Sequence, residues 1–141
     1  MKRFTLQLED DDDYVLVGIS SNEKDYRLCW LINQSLGLNF VRIEDIEIIQ
    51  KRKNLKLFYS VYQHVVEEDL VNLYIISNNR LNESLVTECK HADYLFMIKG
   101  PFQAESKDEL ISKLKLIKNI MLVFEIELDE ISSFSKKNLL F

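Results

Sequence analysis

The side chains able to do chemistry are concentrated in one stretch, Val86 to Tyr94, which holds Glu88, Cys89, His91, Asp93 and Tyr94. On a short helix Glu88 and His91 share a face at three-residue spacing, an arrangement in which a carboxylate orients an imidazole for base catalysis or metal binding. A zinc site needs further ligands, and His64, the only other histidine, has no partner at ligand spacing, so neither metal nor cofactor is expected. Glu88 and Asp93 also fit a polar binding pocket at the N-terminal edge of the strand opening at Tyr94, with Tyr94 as donor and Arg27 and Asn33 adding a cation and an amide. In the structural alternative, Asp93 braces the turn before that strand, Glu88 completes a helix-end interaction and Tyr94 anchors the sheet with its ring. The chain has three glycines and neither a Gly-rich phosphate loop nor a nucleophile elbow, so no catalytic residue is assigned and an enzyme is not expected.

The stretch Val86-Thr87-Glu88-Cys89-Lys90-His91-Ala92-Asp93-Tyr94 resembles the signature of the IPExxxVDY family of short bacterial proteins. Glu88, Asp93 and Tyr94 stand where that motif has them, while Val86 replaces its Ile, Thr87 its Pro and Ala92 its Val. Cys89 and His91 fall at variable positions, so the resemblance lends neither a catalytic role. It implies a bacterial protein of no established activity. Thr87 in place of Pro leaves the turn less rigid than the family pattern implies.

The 141 residues suffice for one domain with a single core. Apolar residues at 47% and charged residues at 29% describe a globular chain. With 18 basic against 23 acidic residues the formal charge is -5, a field that repels phosphate and argues against nucleic acid as a partner. Lys51, Arg52, Lys53 and Lys56 form a local basic group, read as an exposed hairpin turn. No window approaches the ~20 apolar residues of a membrane span. The N-terminus lacks the apolar region of a secretory signal, and Cys29 and Cys89 have no paired spacing, so free thiols in a reducing cytoplasm are expected.

Several elements must position the motif. Phe4, Leu6 and Leu8 alternate as a strand, and Glu9 to Asp13 read as an acidic loop without the spaced ligands and Gly of a calcium loop. Tyr14–Ile19 reads as a buried strand. It leads into a helix capped near Ser20 or Asn22, with Leu28, Leu31, Ile32 and Leu36 on one face and Gly37 at its end. Ile46 to Ile48, Leu57 to Val66 and Leu70 to Ile76 read as a three-stranded meander. Tyr94–Ile98 has almost no polar relief and reads as a central strand, broken by Gly100-Pro101. A second helix starts near Ser106 with Leu110, Ile111, Leu114 and Ile117 as its stripe, followed by a strand carrying Leu122, Phe124, Ile126 and Leu128.

These elements predict an α+β two-layer sandwich in one domain, residues 1–141: a mostly antiparallel sheet with two main helices on it, in ferredoxin-like or ACT-like element order. The tail, residues 129–141, is too apolar for solvent and is expected to dock on the domain or on a neighbouring subunit. The first helix is apolar around much of its circumference, so Tyr26 and Trp30 are expected to be covered, first by the domain itself, otherwise by a second subunit or a ligand. The function that follows is a non-enzymatic protein-interaction module, a homodimer or one with a protein partner, touching it through Tyr26, Trp30, Phe134 and Phe141. The alternatives are an ACT-like small-molecule sensor binding near Glu88, Asp93 and Arg27, and an acid-base or metal-dependent hydrolase.

Overall fold

Alternation and contiguous apolar runs give the chain its strands, and a computed structural model shows how they pair, describing residues 14–66, 68, 70–101 and 104–141. The N-terminal strand and acidic loop expected within residues 1–13 lie outside the described residues. The strands are β1 (Tyr14–Ser20), β2 (Val41–Gln50), β3 (Leu55–Val66), β4 (Val71–Ser77), β5 (Asn79–Arg80), β6 (Glu83–Ser84), β7 (Tyr94–Lys99) and β8 (Leu122–Ile126). The helices are α1 (Asp25–Leu36), α2 (Ala104–Lys115) and α3 (Ser133–Asn138), with short 3-10 turns at Thr87–Cys89 and Leu128–Glu130. The fold is α+β. Six strands form one sheet in the order β2-β3-β4-β7-β1-β8, every pair antiparallel, while β5 and β6 make a separate two-residue ribbon.

The meander β2-β3-β4 is local pairing through short turns, with Asn54 and Leu70 at positive φ where the chain reverses. In β7 the residues Leu95, Phe96, Met97 and Ile98 are buried on both sheet faces, as their unrelieved apolarity demands. On one face lie α1, through Leu28, Cys29 and Ile32, and α2, through Leu114, followed by Ile117. Each fully buried Leu, Ile or Phe contributes roughly 1.5–3 kcal/mol relative to exposure, so this stripe-on-sheet contact outweighs the modest propensities of the helices themselves.

The other face is not open, and the two-layer expectation describes only half of the sheet. Leu85, Val86, Cys89 and Ala92 of the motif stretch, with Ile131 and Leu139 of the tail, form a second core against Leu16, Val61, Ile76, Leu95 and Met97. The stretch 79–93 has no strand or helix period, which is why it read as a connection rather than as a layer. The tail packs on the domain: Ser135 and Leu139 are buried and the Phe141 ring meets Tyr74 edge-on at 5.1 Å.

Two local expectations change. The first helix starts at Asp25 after Lys24, which makes no side-chain cap; the Ser20 and Ser21 hydroxyls donate instead to the carbonyls of His91 and Asn119, so the helix is not capped by Ser20 or Asn22. Tyr26 and Trp30 are 63% and 49% exposed, and Arg27 stacks on Trp30 at 4.7 Å. The apolar surplus on that face meets solvent because α1 lays only its Leu28, Cys29 and Ile32 side on the sheet.

Candidate functional site

The motif stretch leaves β4 at Ser77 and returns as β7 at Tyr94, and Asn78 sets its path. Its fully buried amide nitrogen donates to the carbonyls of Cys89 at 2.9 Å and Ala92 at 2.8 Å, while its Oδ1 accepts from the Val86 N–H at 2.8 Å. One side chain thus partners three backbone groups of an irregular segment that secondary structure cannot satisfy.

Glu88 projects from this segment onto the tail. Its Oε1 accepts from the Ser135 hydroxyl at 2.7 Å and its Oε2 from the Ser132 N–H at 3.1 Å, while Ser132 caps α3 by accepting from Ser135 N–H. Desolvation raises the Glu88 pKa, but the bonds from Ser135, its own backbone and Ser132 together hold it below the ordinary carboxylate value. A depressed folded-state pKa means a contribution that is complete above the unfolded value, near 4.5, and lost as pH falls through the folded one. We therefore expect α3 to loosen in acid below about pH 4.5, seen as exchange broadening of the Ser132 and Ser135 amides by NMR. Glu88→Gln should remove that portion of the acid transition, and an unchanged titration in the variant would contradict the assignment.

Asp93 sits at the opposite end of the segment. Its Oδ2 accepts from the Ser21 N–H at 2.9 Å, and its backbone N–H and carbonyl bond to Ile19 and Asn78. Tyr94 buries its ring and donates its hydroxyl to the Glu23 carbonyl; desolvation first, and Asp25 next, raise its pKa. The two carboxylates are thus engaged by different partners, Glu88 by the tail and Asp93 by the exit of β1. Arg27 is with Trp30, and Asn33 holds both backbone groups of Phe40, its Oδ1 accepting at 2.8 Å and its nitrogen donating at 3.3 Å.

Of the expected pocket residues, Glu88 and Tyr94 line two separate clefts. Glu88 and His91 line a shallow one of about 300 Å3 with Glu130 and Phe124, on whose ring His91 stacks at 4.9 Å. Tyr94 lines another, of about 340 Å3, with Lys24, Arg42 and Arg80. No family model, curated protein or solved structure matches this chain. Among the described residues, no group of three or more His, Cys, Asp or Glu side chains is placed to hold a metal ion. Burial, with Asp25 adding to it, pushes the Cys29 thiol up to about 11, and burial followed by Glu88 raises that of Cys89; neither is a ready nucleophile. Of the basic group, Lys53 pairs with Glu83 at 2.7 Å and Lys56 with Glu47 at 3.6 Å, which removes much of its value as a phosphate-binding patch.

The sequence reading passed over Asn78 and the apolar residues flanking β8. A usable signal existed for both. An Asn directly after a buried strand and before an aperiodic apolar stretch is a natural backbone clamp. Leu116 falls off the stripe that Leu110, Leu114 and Ile117 define, and Met121-Leu122 continues an apolar run at the start of a strand.

Proposed function

We propose that the protein is a non-enzymatic interaction module that self-associates along the outer edge of β8, which no strand among the described residues pairs. The observation that carries this reading is the contrast between the two outer strands of the sheet. The β2 edge is blunted by a bulge between Ile43 and Ile46 and by Arg42, Glu44, Asp45 and Glu47, devices that discourage strand addition. The β8 edge has no such device over Leu122, Val123 and Phe124, and its single charge, Glu125, is held by Lys107 at 3.1 Å. Leu116, Met121 and Leu122 beside it are 84%, 61% and 50% exposed. Ile120, Met121 and Leu122 line a shallow groove of about 290 Å3 there. Two copies related by a two-fold axis would pair β8 with β8 antiparallel, closing both edges with one isologous contact.

A ferredoxin-like core is supported by the strand order β8-β1-β7-β4, in which the β1-to-β4 and β7-to-β8 connections each skip one intervening strand, and by α1 and α2 sharing one face; the β2-β3 hairpin is then an insertion. The non-enzymatic part of the reading rests on Glu88 and Asp93 being occupied by backbone and hydroxyl donors. A cytoplasmic location fits two buried, unpaired cysteines, and no helix among the described residues is long and apolar enough to cross a membrane.

Sedimentation velocity across a concentration series tests the proposal. We expect a dimer that strengthens as salt screens the charge of two acidic copies and that Leu122→Lys converts to monomer with unchanged secondary structure. A monomer at every concentration would overturn it, and loss of association in Trp30→Ala but not in Leu122→Lys would move the contact to α1.

A further inference from the structure

We propose that the cleft between the start of α1 and the end of β4 binds a small organic anion, a carboxylate or phosphate group carried on a flat apolar body. Its volume of about 340 Å3 lies within the range of small-molecule sites. Three cations, Lys24, Arg42 and Arg80, face it together with two carboxylates, Asp25 and Asp45. Both carboxylates are already engaged: Arg42 bonds Asp45 at 2.9 Å and lies 3.9 Å from Asp25. Lys24 and Arg80 have no ion-pair partner among the described residues, although the chain as a whole is acidic. Three cations against two carboxylates leave the concavity one net positive charge, and low-dielectric walls strengthen its attraction for an anion.

The remaining wall fits the rest of such a ligand. Phe58 is 46% exposed although it sits mid-strand, leaving a ring face for a flat apolar body. Ser60 and Ser77 share one hydrogen bond, so one hydroxyl proton stays free to donate. The Tyr94 hydroxyl, committed to Glu23 as donor, retains acceptor capacity. Lys24 at the helix N-cap offers no side-chain acceptor, and the positive end of the α1 dipole lies toward this side, with the Tyr26 N–H of the first turn taken by Asp25 Oδ1 at 2.8 Å. The cleft lies by β3 and β4 rather than by β8, so the inference stands or falls separately from self-association.

Titration of the 15N-labelled protein with phenyl phosphate and with benzoate, and with benzyl alcohol as a neutral control, tests it by amide chemical shifts. We expect at least one anion to move the Lys24, Asp25, Ser60, Ser77 and Arg80 amides saturably, with the alcohol far weaker. Arg80→Gln or Lys24→Gln should weaken binding about tenfold, the size of one lost charge-assisted hydrogen bond. Both residues are exposed, so the variants retain the fold, which the same spectra verify. Shifts no larger than those of the alcohol, shifts scattered over the surface, or affinity unchanged in both variants would overturn the proposal.

Discussion

Asn78→Ala is expected to destabilise the protein by about 3 kcal/mol, because it strips partners from three backbone groups at once. The Val86 N–H loses its acceptor outright, and the Cys89 and Ala92 carbonyls each lose one of their donors. Ala92 keeps a bond from Asn79 at 3.2 Å and Cys89 keeps the Ala92 N–H, which is why the sum stays below the full penalty for three orphaned groups. Against a total stability of roughly 5–15 kcal/mol this is a large loss, equivalent to about 10 °C in Tm for a chain of this size. Urea denaturation measures it. Asn79→Ala, on an exposed neighbour, serves as the comparison and should cost under about 1 kcal/mol. Equal effects from the two substitutions would show that Asn78 is not the clamp of the motif segment.

The second large effect is at Gly100, where β7 ends. Its φ of +121° is one that side chains rarely adopt, and a Cβ there would stand 2.5 Å from the Leu70 carbonyl oxygen in the β3-β4 turn. That obstacle is backbone, so it cannot swing aside as a side chain would. Gly100→Ala is expected to cost about 3 kcal/mol, combining conformational strain with displacement of the turn. Gly37 makes the control: its φ is +66°, but nothing lies within 4 Å of the added methyl. Gly37→Ala should cost only the left-handed preference, about 1 kcal/mol. Thermal unfolding of the two variants separates clash from strain, and a Gly100→Ala protein as stable as Gly37→Ala would contradict the close approach.

Much of the fold was legible wherever the chain is periodic. The contiguous run of Tyr94 to Ile98 and the 3.6-residue spacing of Leu28 and Ile32 report faces that must be buried, and the structure buries them, whereas the alternation of Leu122, Phe124 and Ile126 misleads in β8, where Leu122 is exposed and Val123 of the other face is buried. The second core was not legible, because Leu85, Val86, Cys89 and Ala92 follow no period; an irregular segment is held by side chain to backbone bonds such as those of Asn78, which hydropathy does not register. Tyr26 and Trp30 misled for the opposite reason: their size implied burial, yet Arg27 stacking and solvent accommodate them. In the motif, type and order were visible but partners were not. Glu88 finds Ser132 and Ser135 more than forty residues downstream, and Asp93 finds Ser21 seventy-two residues upstream. The anion cleft joins Lys24, Arg42 and Arg80 only because the sheet brings α1, β2 and β5 to one end.

Under the proposed self-association, β8 is an edge that a second copy closes. Amide hydrogen exchange of Val123 to Ile126, measured at two protein concentrations a hundredfold apart, reports on that edge directly. Protection of the outward-facing amides should rise with concentration in the wild type and stay flat in Leu122→Lys, while β2 amides are unaffected in both. Exchange at β8 that is independent of concentration, or protection that rises along β2 instead, would contradict it.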